Sequence, residues 1–337
     1  MKFKLTFLVT IFGLVIAFGA NAAVIFHEPG DFSPSGIDVM YDAQQRIYKM
    51  WYYANDRNTS VGDAIYYRTS YDKINWSTRI EVLNPLKMGA MIGGTVFAVG
   101  DPSVIKESQW GIWTYIMYLT VCRDVCNFSD NEIWSLISAD GVNWILPEPL
   151  LKKTTAGNYN KGASEPSVIV DSSVSGVHYK VYYTEQGLAA DLTKIKLAYA
   201  GPDRRLIRQA GGQVSKIVYS NHLNKMVSSA NLEWINNRWY LFFNMWDGDA
   251  NNLRIDLYRI YSSNNESFNT YAQSAIVTHP RPPNPPPYCA CTGSSALDLP
   301  GASYEVFYAK YKPVNGLCSN NLLLYGDEVH RDVKYYY

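Results

Sequence analysis

The chain has 337 residues, with 30 Lys+Arg balanced by 30 Asp+Glu, so its formal charge is zero. That balance excludes a nucleic-acid binder built on a broad basic surface. Hydrophobic residues make up 47% and charged ones 18%, which excludes global disorder and leaves material for a large core.

The N-terminus predicts an export signal. Lys2 and Lys4 precede the apolar run Leu5–Phe18, and Ala20-Asn21-Ala22 forms a small-x-small cleavage site. The run is shorter than the roughly 20 residues of a spanning helix. Residues 1–22 are therefore expected to be removed, and the mature chain, 23–337, to be secreted or periplasmic without stable membrane insertion.

From residue 37 a two-strand unit recurs at intervals of about 64 residues. Its copies are Ile37–Ala54, Asp101–Thr120, Glu165–Thr184, Ser229–Trp246 and Ala296–Tyr311, each a short strand, a turn and an aromatic-rich strand. A second element follows each copy, starting at Ile65, Ile133, Ile195, Leu257 and Asn321. No segment of amphipathic-helix length interrupts them. The expected fold is all-β: a single five-bladed β-propeller over 23–337, with four antiparallel strands per blade and radial closure protecting the edges. The 27 Tyr, against 12 Phe and 9 Trp, suit strands and ligand-facing surfaces.

Within the second element, Ser70-Tyr-Asp72 leads to Trp76, and Ser138-Ala-Asp140-Gly141 leads to Trp144. The pattern resembles the Asp box of sialidase propellers, with Gly one position early. A hairpin device repeated between blades points to turn formation rather than chemistry.

Cys122 and Cys126 are expected to pair, as is one of Cys289 and Cys291 with Cys318, in an oxidising compartment. The five histidines are scattered and no HExxH occurs, so no metal site is expected. Asp247-Gly-Asp249-Ala-Asn251-Asn252 opens like a calcium loop. It lacks the sixth-position Gly and has Tyr258 where the twelfth-position Glu belongs, so it reads as a polar hairpin loop. The proline-rich run His279–Tyr288 reads as a stiff interblade connector.

The chemistry-bearing signal is the match between Asp101-Pro-Ser-Val-Ile and Glu165-Pro-Ser-Val-Ile, at equivalent strand starts in consecutive repeats. An acid before Pro can simply shape a strand. Two acids facing one channel are also what glycoside hydrolysis requires.

With the Tyr-rich second strands and the Ser-x-Asp-Gly-x-x-Trp hairpin, these segments make the chain resemble the five-bladed propeller glycoside hydrolases of families 43, 32 and 68. The resemblance spans nearly the whole mature chain and implies three acids from the first three blades. Asp101 matches the second-blade acid that orients substrate or stabilises the transition state, and Glu165 matches the third-blade general acid. Asp38, in the strand IDVMYD, is the expected first-blade base or nucleophile. A competing register aligns Ser33-Pro34-Ser35-Gly36 with the family's acid-bearing segment, leaving Asp31 as the nearest substitute.

Trp51, Tyr53, Trp113 and Trp246 are candidates for stacking on sugar. No organic cofactor is implied. The expected function is an exported glycosidase acting on an oligo- or polysaccharide. The alternatives are a non-catalytic carbohydrate-binding propeller and a protein-interaction propeller.

Overall fold

The computed structural model describes residues 23–28, 32–56, 62–109, 111–123, 130–152, 162–171, 173, 175–186, 193–208, 215–220, 226–246, 255–268, 275–278, 290–299, 303–312 and 325–335. Residues 1–22, read as the signal, Asp31, Cys126, Cys289, Cys318, residues 247–252 and the proline run fall outside them, as do the side chains of Ser33, Trp246 and Cys291. Cys122 is disulfide-bonded.

The described chain is a β-propeller of antiparallel sheets. After β1 (Ala23–His27) come β2 (Phe32–Asp42), β3 (Ile47–Asp56), β4 (Ala64–Ser70) and β5 (Ile80–Leu83), forming one four-stranded meander. Helix α1 (Pro85–Ile92) leads to a second meander: β6 (Val96–Gln109), β7 (Ile112–Arg123), β8 (Asn131–Ser138) and β9 (Ile145–Leu151). The third sheet holds β10 (Gly162–Val170), β11 (Tyr179–Gln186) and β12 (Lys194–Ala200). Both β13 (Leu206–Ile207) and β14 (Lys216–Tyr219) pair with β12.

The fourth sheet has eight strands in two antiparallel groups. One is β15 (Met226–Ile235), β16 (Arg238–Trp246), β17 (Ile255–Ser262) and β18 (Ala275–Thr278). The other is β19 (Ala290–Leu299), β20 (Ser303–Lys312), β21 (Tyr325–Tyr335) and the returning β1. A single parallel pair, Ile255 with Ala290, joins the groups.

The short helix was not expected from periodicity. Asn84 caps it, its side chain accepting from the Lys87 amide at 2.8 Å, and Pro85 occupies the first turn, where its missing N–H costs nothing. Met88 anchors the helix in the core.

Innermost strands β2, β6, β10, β15 and β19 contact one another in a closed ring. A side chain at the same register position fastens most of these strands to the next. Asp38 Oδ2 accepts from the Val104 amide (2.6 Å), Ser103 Oγ from Val168 (3.0 Å), Ser167 Oγ from Leu232 (3.0 Å) and Ser295 Oγ from Val39 (3.0 Å). The last of these closes the ring.

The tyrosines serve mainly as packing between sheets rather than as ligand surface. Tyr52, Tyr115, Tyr118, Tyr179, Tyr182 and Tyr183 are among the largest fully buried side chains. Their rings fill the wedge between sheets, and several hydroxyls reach buried partners, as Tyr182 does with the Asn265 carbonyl at 2.7 Å.

Both Ser-x-Asp elements are turn devices. Asp140 Oδ1 accepts from the amides of Val142 and Asn143 (both 2.8 Å), and Asp72 Oδ1 does the same for Ile74 and Asn75. Hydrogen bonding holds both carboxyls well below the usual carboxylate range. Trp144 packs into the core between sheets.

Candidate active site

Each of the first four innermost strands carries a β-bulge at the same place: between Ser35 and Asp38, Gly100 and Ser103, Ser164 and Ser167, and Ser228 and Asn231. The first bulged residue is left-handed in every case: Gly36 (φ 51°), Asp101 (φ 49°), Glu165 (φ 54°) and Ser229 (φ 54°). Left-handed backbone costs a non-glycine residue about 1–2 kcal/mol, and such strain concentrates at functional sites. A bulge re-aims the side chain out of the pleat. Here it brings Asp101 and Glu165 together at the channel, where both line a small axial cavity with Gly36, Asp38 and Ser229.

A ladder of threonines links the acids. Thr120 Oγ1 donates to Asp101 Oδ2 (2.8 Å) and accepts from the Glu165 amide (2.9 Å). One repeat on, Thr184 Oγ1 donates to Glu165 Oε2 (2.7 Å) and accepts from the Ser229 amide (3.1 Å). The same Ser229 amide reaches Glu165 Oε2 (2.6 Å), and Ser229 Oγ donates to Oε1 (3.0 Å). Thr120, Thr184 and Ser229 are site residues that sequence reasoning missed, although the 64-residue repeat relates the two threonines.

The first repeat departs from this scheme. Gly36 stands where Asp101 and Glu165 stand, and Tyr53 stands where the threonines stand, opposite Ser35 across the strand pair. A Cβ on Gly36 would lie 2.7 Å from the Tyr53 ring and 2.9 Å from the Asp101 Cα. Tyr53 therefore fills the space that a first-repeat acid would need.

Asp38 sits two residues further on, at the interstrand fastening position shared with Ser103, Ser167 and Ser295. It touches the axial cavity, but Oδ2 is engaged by the Val104 amide and Oδ1 faces Ser295 Oγ at 3.5 Å. Burial pushes its carboxyl up to about 7.

A larger cavity of about 170 Å³ opens beside the acids, lined by Tyr53, Asp63, Asp101, Thr120, Cys122, Asn131, Ser164 and Glu165 among others. Burial, with the charge of Glu165 next and that of Asp63 adding, raises Asp101 to about 8. Asp63 is itself raised by burial, against the Asn55 side-chain amide that donates to it at 2.9 Å. No periodicity or motif marked Asp63.

Of the stacking candidates, Tyr53 lines this cavity. Trp51 does not: it is fully buried, its Nε1 donates to the Gly141 carbonyl (2.9 Å), and its ring packs against Tyr67, Tyr115 and Trp144. Two residues from Tyr53 on β3, it shares Tyr53's face but lies further along the strand, in the wedge between the first two sheets. Trp113 is 46% exposed but lies seven residues along β7 from Thr120, about 23 Å away at the strand rise. Only the backbone of Trp246 is described, at the end of β16. Among the described residues no cluster of three or more His, Cys, Asp or Glu could hold a metal.

No protein-family model matches the sequence, and no curated protein matches it. Solved structures do. A glycoside hydrolase aligns over 94% of this chain and 92% of its own, at 10% identity and TM-score 0.68. The native Bacillus subtilis arabinanase Arb43A aligns over 93% and 97%, at 11% identity and TM-score 0.60. The Cellvibrio cellulosa α-L-arabinanase, in complex with arabinohexaose, aligns over 90% of each chain at 9% identity and TM-score 0.58. The chain has the β-propeller fold of the family 43 glycoside hydrolases.

Proposed function

We propose that the chain is a glycoside hydrolase acting on an oligo- or polysaccharide at the cavity holding Asp101 and Glu165. The observation carrying this reading is the pair of adjacent acids, each on a strained left-handed bulge and bridged by Thr120, with Asp101 raised to about 8. Asp101 in that state keeps a proton in the site at neutral pH, which general-acid chemistry needs. Glu165 is the member to which the resemblance gives proton transfer to the leaving oxygen, and Asp101 keeps the proton in the pair.

Three further proposals accompany it. The eight-stranded sheet counts as two blades, which makes five. The protein is exported, and Cys122 bonds to Cys126.

Arabinan and arabino-oligosaccharides are the first substrates to test, since two structurally similar proteins are arabinanases. Release of reducing sugar by the wild-type chain is expected. Glu165→Gln should lose about 10²–10⁴ in rate on natural glycans and much less on activated aryl glycosides. No hydrolysis across a broad glycan panel would overturn the reading.

A second reading is a carbohydrate-binding propeller without catalysis, favoured by Gly36 standing where a first-blade acid is expected. Glycan binding without turnover would establish it.

A further inference from the structure

If Gly36 and Tyr53 close the first-repeat acid position, hydrolysis needs its second carboxylate from another element. The 170 Å³ cavity contains one. We propose that Asp63, at the foot of β4, is the general base of this site; the inference rests on the glycosidase reading.

Its placement is built rather than incidental. Gly62 passes so close to β6 that a Cβ would lie 2.0 Å from the Phe97 carbonyl oxygen, so only glycine fits there. The Asp63 carbonyl then accepts from the Val99 amide at 3.0 Å, two residues before Asp101. The Asn55 side-chain amide holds Oδ1 at 2.9 Å. These contacts bring a carboxylate from the first sheet into the cavity lined by Asp101 and Glu165 in the second and third.

A separate observation marks that cavity as a ligand site. Ser164, 1% exposed, lines it with an Oγ that has no hydrogen-bond partner, and the Asn131 Oδ1 on the same wall has none. Unsatisfied buried polar groups are costly, and the hydroxyls of a sugar ring would satisfy both a donor and an acceptor. The burial that raises Asp63 makes it a better proton acceptor than a solvated aspartate when its carboxylate is formed.

The step balances with water as the co-reactant. Asp63 takes one proton from a water molecule as the water oxygen bonds to the anomeric carbon. The bond from that carbon to the leaving oxygen breaks, and the proton held by the Asp101–Glu165 pair passes to the leaving oxygen. Asp63 then releases its proton to solvent while the pair takes one up.

The test compares wild type, Asp63→Asn, Asp63→Ala and Asp38→Asn on an aryl glycoside that the wild type hydrolyses. Expected are a loss of about 10²–10⁴ in kcat for both Asp63 variants and loss of the acidic limb of the pH profile. Sodium azide should restore turnover of Asp63→Ala by entering the space left and should give a glycosyl azide detectable by mass spectrometry. Asp63→Asn is nearly isosteric, so an unchanged melting temperature separates chemistry from folding. An active wild type with fully active, folded Asp63→Asn, or with the loss appearing at Asp38→Asn instead, overturns the inference and leaves the glycosidase reading standing. A wild type inactive on every substrate overturns that reading first.

Discussion

Gly36 and Tyr53 form a coupled exchange at the residue scale. In the second and third repeats an acid is paired with a threonine that donates to it; in the first, both are replaced, and the tyrosine ring occupies the volume of the missing side chain. Gly36→Asp alone should overpack the channel and cost about 1–3 kcal/mol. Gly36→Asp with Tyr53→Thr should recover part of that loss, because the ring is removed and a donor is installed, while the contact with the Asp101 Cα at 2.9 Å remains. Urea denaturation of both single variants and the double variant measures the coupling, and simple additivity would refute the shared-volume argument.

The buried acids also set a pH dependence. Asp38 is raised to about 7 and Asp101 to about 8, both chiefly by burial. The folded state then binds more protons than the unfolded state between about pH 4 and pH 8, so stability falls as pH rises through that window. Asp38→Asn, a neutral isostere, should melt within about a degree of wild type at pH 5 and several degrees higher at pH 9. A Tm difference that does not depend on pH would contradict this.

At the scale of the element, the bulge and the hairpin divide the work. Bulged residues aim acids into the channel, whereas the Ser-x-Asp hairpins secure the outer strands. Asp140 accepts from two turn amides and from the Ser138 hydroxyl and the Asn143 side-chain amide. Asp140→Ala leaves those donors to water in an exposed turn and disturbs the seat of Trp144. A loss of about 1–2 kcal/mol is expected, with kcat and KM on any hydrolysed glycan unchanged. A selective loss of kcat would mean the element carries chemistry.

For the molecule as a whole, closure joins the chain's two ends. The first strand, β1, completes the sheet of β21, and Glu28 just after it is buried against Arg68, at 2.8 Å, and Arg79. On the other side of the same junction, Trp76 stacks edge-on against Phe307, and Lys73 pairs with Glu305. Replacing one partner of a buried ion pair costs about 3–5 kcal/mol. Glu28→Gln should fall toward the lower end, since Arg79 is partly exposed, and should expose the β21 edge to intermolecular pairing. Lowered urea midpoints and concentration-dependent association by light scattering would verify it; a change confined to an exposed ion pair would leave both unmoved.

Strand pairs repeating every 64 residues were legible because a β-meander imposes local alternation and turn chemistry that survive in the sequence. The same repeat puts Asp101 and Glu165 in equivalent positions. Asp38 lies two residues beyond the position of those acids, in register with Ser103 and Ser167, because the matching segment Ser33–Gly36 carries no acid and Asp38 is the next one along the strand.

Trp51 and Tyr53 looked alike as aromatic residues on one strand, yet one is buried between sheets and the other lines the cavity. Asp63 was invisible, since its position depends on a glycine passing the carbonyl of a strand in the next sheet. The sequence by itself determined the all-β repeat and the two acids in matching segments. Only the tertiary structure decided which side chains share the cavity, because those contacts join residues on different sheets and exist only once the ring is closed.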